Sequence, residues 1–162
     1  LWTGVAPERL RVGIGAFPGV EHRIEWVREI RGVAFYNDSK GTNVASTIKA
    51  IESFTEPIIL IGGGRGMGQE FAPLADAAQG RVSHAILIGE DREKIARALA
   101  ARVPLTRADS LEEAVGEAGR LARPGDVVLL SPACASFDMF DNFEHRGRVF
   151  KALVRALVDR DA

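Results

Sequence analysis

The sequence predicts an α/β domain: a mainly parallel sheet covered by helices on both faces, with an antiparallel strand at one edge. Three observations carry this. Apolar runs such as Ile58-Ile59-Leu60-Ile61 and Val127-Val128-Leu129-Leu130 recur without polar interruption, as expected of strands buried on both faces rather than one. Between the runs, apolar residues fall at helical spacing, for example Val44, Ile48 and Ile51. Gly and Pro punctuate the alternation at Gly62-Gly63-Gly64, Gly89 and Pro124-Gly125. With 162 residues, 46% of them apolar, the chain can fill one core of ordinary size.

The elements follow in order. The opening LWTGVAPERLRVGIGAF lacks a basic stretch followed by an apolar one, so it is not a secretory signal. It is expected to be a helical tail and connector, seeded at Ala6-Pro7-Glu8-Arg9. Ile24 to Ile30 and Val33 to Tyr36 form a hairpin around Arg31-Gly32, which supplies the antiparallel edge. A helix over 43–54 leads to the strand Pro57 to Ile61. Next come a helix around Glu70 to Gln79, a strand at His84 to Ile88, and a helix from Asp91 to Ala101 with Asp91 as its cap. A short strand at Val103 to Leu105 precedes Ser110-Leu111-Glu112-Glu113, a capping-box pattern that opens another helix. Val127 to Leu130 is the sixth strand, and a final helix runs from about Asn142 to Val158.

Composition excludes some functions. A net charge of -1 gives no general attraction to nucleic acid or an acidic membrane surface. No apolar run approaches the ~20 residues that span a bilayer. The single cysteine, Cys134, cannot form an internal disulfide and suits a reducing compartment. His22, His84 and His145 are too scattered to suggest zinc. They read as a surface residue, a structural strand residue and a solvated helix residue respectively.

In open α/β sheets, ligands bind beyond the carboxyl ends of the strands, so the loops there are the candidate sites. After the second strand comes Asn37-Asp38-Ser39-Lys40-Gly41-Thr42-Asn43, polar and immediately before a helix. Asp38 and Lys40 can contact different parts of one charged ligand, and the helix N-terminus favours an anion. The same residues also suit a plain capped loop, with Thr42 or Asn43 as N-cap and Asp38 and Lys40 in solvent. After the last strand comes Ser131-Pro132-Ala133-Cys134-Ala135-Ser136-Phe137-Asp138, where small residues let a ligand near the backbone. Cys134 reads as a buried, inert thiol, and Ser136 lacks the surroundings of a hydrolase nucleophile. The loop Gly62 to Gly68 misses the G-x-G-x-x-G spacing of a dinucleotide site and offers one cation, Arg65.

Taken together, three segments resemble the Mur ligases in order and spacing. They are FPGVEHRIE (17–25), NDSKGTN (37–43), and SPACAS (131–136) with NFEHRG (142–147). The likeness covers about residues 17–158 and is strongest to the branch that adds D-glutamate to UDP-N-acetylmuramoyl-L-alanine. It implies a Rossmann-like, three-layer domain with a six-stranded sheet, matching the strands counted above.

The resemblance also implies a role for the chain. Residues 1–16 would be the tail of a preceding central domain and a connector. Residues 17–162 would be the C-terminal domain that brings the incoming amino acid. Arg23 and Asp38 would reach toward ATP, and Lys40 and Asp38 would serve the reaction. Lys40, Thr42, Ser136, Phe137 and Phe143 would line the D-glutamate site. The family carries a lysine in the loop after the third strand, and Arg65 is expected in its place. ATP and Mg2+ would be held mainly by the central domain, because the chain has no G-x-x-x-x-G-K-[ST] loop for phosphates. No cofactor or metal is expected on these residues alone, and this chain by itself is expected to be inactive. The implied protein is cytoplasmic and monomeric, and it works with D-glutamate, ATP, UDP-N-acetylmuramoyl-L-alanine and its two other domains. The alternatives are an autonomous nucleotide-binding oxidoreductase domain using Gly62 to Gly68, and a module that senses an amino acid.

Overall fold

A computed structural model describes residues 19–158. The expected helix at Ala6 to Arg9 lies outside the described residues. The order of elements is β1 (Glu25–Ile30), β2 (Val33–Asn37), α1 (Val44–Glu52), β3 (Ile58–Gly63), α2 (Ala72–Ala78), β4 (Val82–Ile88), α3 (Arg92–Leu99), β5 (Leu105–Arg107), α4 (Leu111–Leu121), β6 (Val127–Leu130) and α5 (Phe143–Ala156). The six strands form one sheet in the order β1-β2-β6-β3-β4-β5. Only the β1–β2 pair is antiparallel.

The unbroken apolar runs explain the three layers. Successive side chains on a strand point to opposite faces. Ile58 and Leu60 pack with Val44 and Ile51 of α1, Leu74 of α2 and Ile95 of α3. Ile59 and Ile61 pack on the other face with Leu111 and Val115 of α4 and Phe150 and Val154 of α5. Each run therefore feeds two cores at once. Among the described residues, no helix is long and apolar enough to cross a membrane.

Helix starts follow their caps. Asn43, Ser110 and Asn142 accept from the backbone N–H of Ser46, Glu113 and His145. Glu113 in turn accepts from the N–H of Asp109, one residue ahead of the cap. Two expectations need correction. Asp91 does not cap α3 with its side chain; that carboxylate instead accepts from Gly66 N at 2.7 Å and pairs with Lys94. The fifth strand begins at Leu105 rather than Val103, because Arg102 and Val103 still donate to the Leu99 carbonyl and prolong the helical turn.

The topology fixes where a site can lie. Strand β6 sits between β2 and β3. The chain leaves β2 and β3 toward the α1–α3 face, and leaves β6 toward the α4–α5 face. Loops that part in opposite directions open a crevice at the carboxyl ends of these strands.

Candidate functional site

The loop after β2 and the loop after β6 are laced together in that crevice. Ala133 N donates to Gly41 O at 2.9 Å, and Asp38 N donates to Leu130 O at 2.8 Å. The Ser131 hydroxyl donates to Asp38 Oδ2 at 2.7 Å, and Ile24 N donates to Asp38 Oδ1 at 3.2 Å. Both carboxylate oxygens thus have partners inside the protein. Burial pushes the Asp38 pKa up, while the Ser131 and Ile24 hydrogen bonds and the charges of Arg23 and Arg146 oppose that rise. The solvated reading of Asp38 is overturned: the residue is 5% exposed. Lys40 does face solvent, with its ammonium 5.1 Å from the centre of the Phe143 ring. That distance suits a cation–π contact.

Arg146 joins the same two loops to α5, and no reading of the sequence gave it a role. It is 1% exposed. Its guanidinium donates to Ser39 Oγ at 3.0 Å, Ser39 O at 2.8 Å and Cys134 O at 3.1 Å. All three acceptors are neutral, so burial lowers the arginine pKa to about 10 and the group stays charged at neutral pH. The Ser39 hydroxyl passes the link on by donating to Phe143 O at 2.8 Å. Burial raises the Cys134 thiol to about 12, which fits the expected inert side chain.

His22 also departs from its expected place. Expected at the surface, it is 2% exposed. Its carbonyl accepts from Lys40 N at 3.0 Å, and its Nδ1 lies 2.8 Å from Asn37 Nδ2. Asn37 Oδ1 accepts from Ser39 N, so the amide turns its NH2 toward the imidazole. Nδ1 therefore accepts, and the ring is neutral with its proton on Nε2. Burial lowers the His22 pKa in the same sense. Glu21, His22 and Glu25 could converge on a metal ion. The Lys151 ammonium already supplies a positive charge there, 2.7 Å from Glu21 and 2.9 Å from Glu25.

The other expected residues spread along the crevice. Arg23 is exposed at the turn that Ile24 clamps to Asp38. Thr42 is half-buried just before α1. Ser136 is 2% exposed, two residues beyond the Cys134 carbonyl that Arg146 holds. Phe137 is 64% exposed. Arg65 exchanges two backbone hydrogen bonds with Ala135, each 3.0 Å. Its guanidinium points the other way, to Glu90 at 2.8 Å, and lines an open cleft of about 440 Å³ with Arg92, Asp109, Phe137 and Asp138. Arg65 thus touches the site through its backbone, while its cation is engaged at the rim.

The glycines of the loop after β3 have a packing reason. Gly63 and Gly64 have φ of 115° and 131°, a region closed to most side chains. A Cβ on Gly63 would overlap the Ile88 carbonyl, and one on Gly64 the Ala135 carbonyl. Their open faces are filled by neighbouring backbone, which removes the reason for reading them as a pyrophosphate cradle.

Comparison with known proteins adds the family. Residues 22–134 match the family described as "Mur ligase, glutamate ligase domain". This chain belongs to that family. Among curated proteins, it is 56% identical over 144 residues to the UDP-N-acetylmuramoylalanine--D-glutamate ligase of Geotalea uraniireducens, covering 89% of this chain and 32% of that protein. It is 51% identical over 159 residues to the ligase of the same name from Legionella pneumophila, covering 96% and 36%. The chain thus spans about a third of the length of these relatives. Among solved structures, a folylpolyglutamate synthase/dihydrofolate synthase from Yersinia pestis, complexed with AMPPNP and Mn, aligns with a TM-score of 0.66 at 17% identity, covering 93% of this chain and 35% of that one. A murein peptide ligase from Psychrobacter arcticus aligns at 0.61 and 16%, covering 96% and 34%. At such identities the structures speak for the fold, and the Mur ligase fold agrees with the three layers described above.

Proposed function

We propose that residues 17–162 form the amino-acid-accepting C-terminal domain of an ATP-dependent ligase that adds D-glutamate to UDP-N-acetylmuramoyl-L-alanine, and that residues 1–16 belong to the end of a central domain and its connector. The observation that carries the reading is the joining of the Asn37–Asn43 and Ser131–Ser136 loops at one end of the sheet. The names of relatives about half identical to this chain supply the acceptor.

In this reaction the carboxylate of the UDP-linked alanine takes the γ-phosphoryl group of ATP, giving an acyl phosphate and ADP. The D-glutamate amine then attacks the acyl carbon, phosphate leaves, and the amine loses its proton. Mg2+ neutralises charge on the ATP phosphates, and both are held mainly by the central domain. This chain's residues position and stabilise charge. Lys40, Thr42 and Ser136 supply donors for the two acceptor carboxylates, with Phe143 and Phe137 as apolar walls. Arg23 reaches toward the ATP phosphates. Asp38, with both oxygens bonded internally, acts in the reaction by fixing the turn that carries Arg23. Arg65 reaches an acceptor carboxylate by exchanging its bond to Glu90. The complete protein works as a cytoplasmic monomer.

The test is phosphate release by the full-length protein with ATP, Mg2+ and UDP-N-acetylmuramoyl-L-alanine. D-Glutamate is expected to support turnover, and this 162-residue chain alone to give none. Equal turnover with L-glutamate, or turnover with a different acceptor only, would contradict the assignment. Tight calorimetric binding of NAD or NADP by this chain would favour an oxidoreductase domain instead.

A further inference from the structure

We propose that Gln69 is a positioning residue for the acceptor pocket, acting as the tie that sets the spacing of its three loops. The inference rests on the acceptor-domain reading and extends it. Gln69 lies outside every residue assigned above, at the end of the glycine-rich loop after β3. Its side-chain oxygen accepts from Val44 N at 2.9 Å. Its side-chain nitrogen donates to Ala133 O at 2.7 Å.

Each bond falls where the backbone needs it. Val44 is the first residue of α1, and first-turn N–H groups have no partner within their helix. Ala133 has φ of 57°, a left-handed conformation that costs a non-glycine residue energy and persists only when its surroundings enforce it. Its N–H is already fixed on Gly41 O, and Gln69 fixes its C=O. One amide thus holds the start of α1, just after Thr42, and the turn three residues before Ser136. The Arg65–Ala135 backbone exchange closes the other end of the same junction.

A planar amide with one acceptor and one donor suits this task. Glutamate at this position would keep the acceptor for Val44, but would set an ionised oxygen against the Ala133 carbonyl. Methionine would match the volume and remove both bonds.

The experiment uses the full-length ligase, with Gln69→Met and Gln69→Glu compared with the parent. Two hydrogen bonds of ordinary strength correspond to about a tenfold effect or more. KM for D-glutamate is expected to rise by that factor in both variants, in Gln69→Met through loss of both bonds and in Gln69→Glu through repulsion at the Ala133 carbonyl. KM for ATP should stay within about twofold, while the melting temperature of Gln69→Met falls by several degrees because two backbone groups lose their partner. Parent-like D-glutamate kinetics in both variants overturns the role. So does an equal rise for ATP, which would mark Gln69 as a general stabilising residue. A parent that turns over without any need for D-glutamate overturns the acceptor reading itself, and is told apart by the parent's kinetics alone.

Discussion

The crevice has two sides built on opposite principles. On the β2–β6 side, Asp38, Ser131, Ser39 and Arg146 are nearly sealed from water and bonded to one another or to backbone. On the β3–β4 side, Arg65–Glu90 and Arg92–Asp109 are ion pairs open to solvent. Buried polar networks are rigid because breaking one contact strands another group without a partner. Exposed ion pairs are weak and exchange readily. The first side is suited to hold a fixed geometry, and the second to give way when a ligand arrives.

The largest expected difference between the sides comes from Arg146→Met. It leaves the Ser39 and Cys134 carbonyls without their donor, and should cost about 2–5 kcal/mol in denaturant unfolding. A cost near that of a surface substitution would break the contrast. Next is Gly41→Ala, whose Cβ would sit 2.6 Å from Asp38 Oδ2 and 2.7 Å from Ser131 Oγ. Wedging that junction apart should cost about 1–3 kcal/mol, read from the same unfolding curves.

Asp38→Asn sharpens the contrast through pH. Because burial raises the folded-state pKa of Asp38, folding disfavours its ionised form. Below the ordinary aspartate pKa the group is protonated in both states and the disfavour is absent. It is fully present once pH exceeds the raised folded value. The stability of the parent relative to Asp38→Asn should therefore fall as pH rises through that window, and then level off. A difference that grows with pH would contradict the buried assignment. The smallest effect is expected on the other side: Glu90→Gln should leave the unfolding midpoint unchanged within error, since the pair it breaks is exposed.

Much of the frame was legible because it is encoded locally. Val127–Leu130 is a strand in both reading and structure, since a run of four apolar residues after Pro-Gly-Asp leaves little choice. Ser110 caps its helix as its capping-box pattern implies. The loops were found because position at a strand's carboxyl end is itself a rule about ligands. What was missed is encoded over long separations. Arg146 looks like one more polar residue on an amphipathic helix, and its burial depends on carbonyls that only the fold brings to it. His22 is buried because Asn37 and the Lys40 backbone close over it. Asp91 looks like a cap, but a loop 25 residues earlier in the chain offers its carboxylate a better donor in Gly66 N.

The most direct test of the acceptor pocket is the kinetics of Lys40→Met in the full-length protein, read separately for each substrate. The Lys40 side chain is exposed over Phe143, and only its backbone, which methionine keeps, bonds to His22, so folding should be untouched. Removing a charged donor to a carboxylate should raise KM for D-glutamate about tenfold or more, with KM for ATP within about twofold of the parent. An unchanged KM for D-glutamate, or a loss shared equally by ATP, would contradict a pocket formed by the loops after β2 and β6.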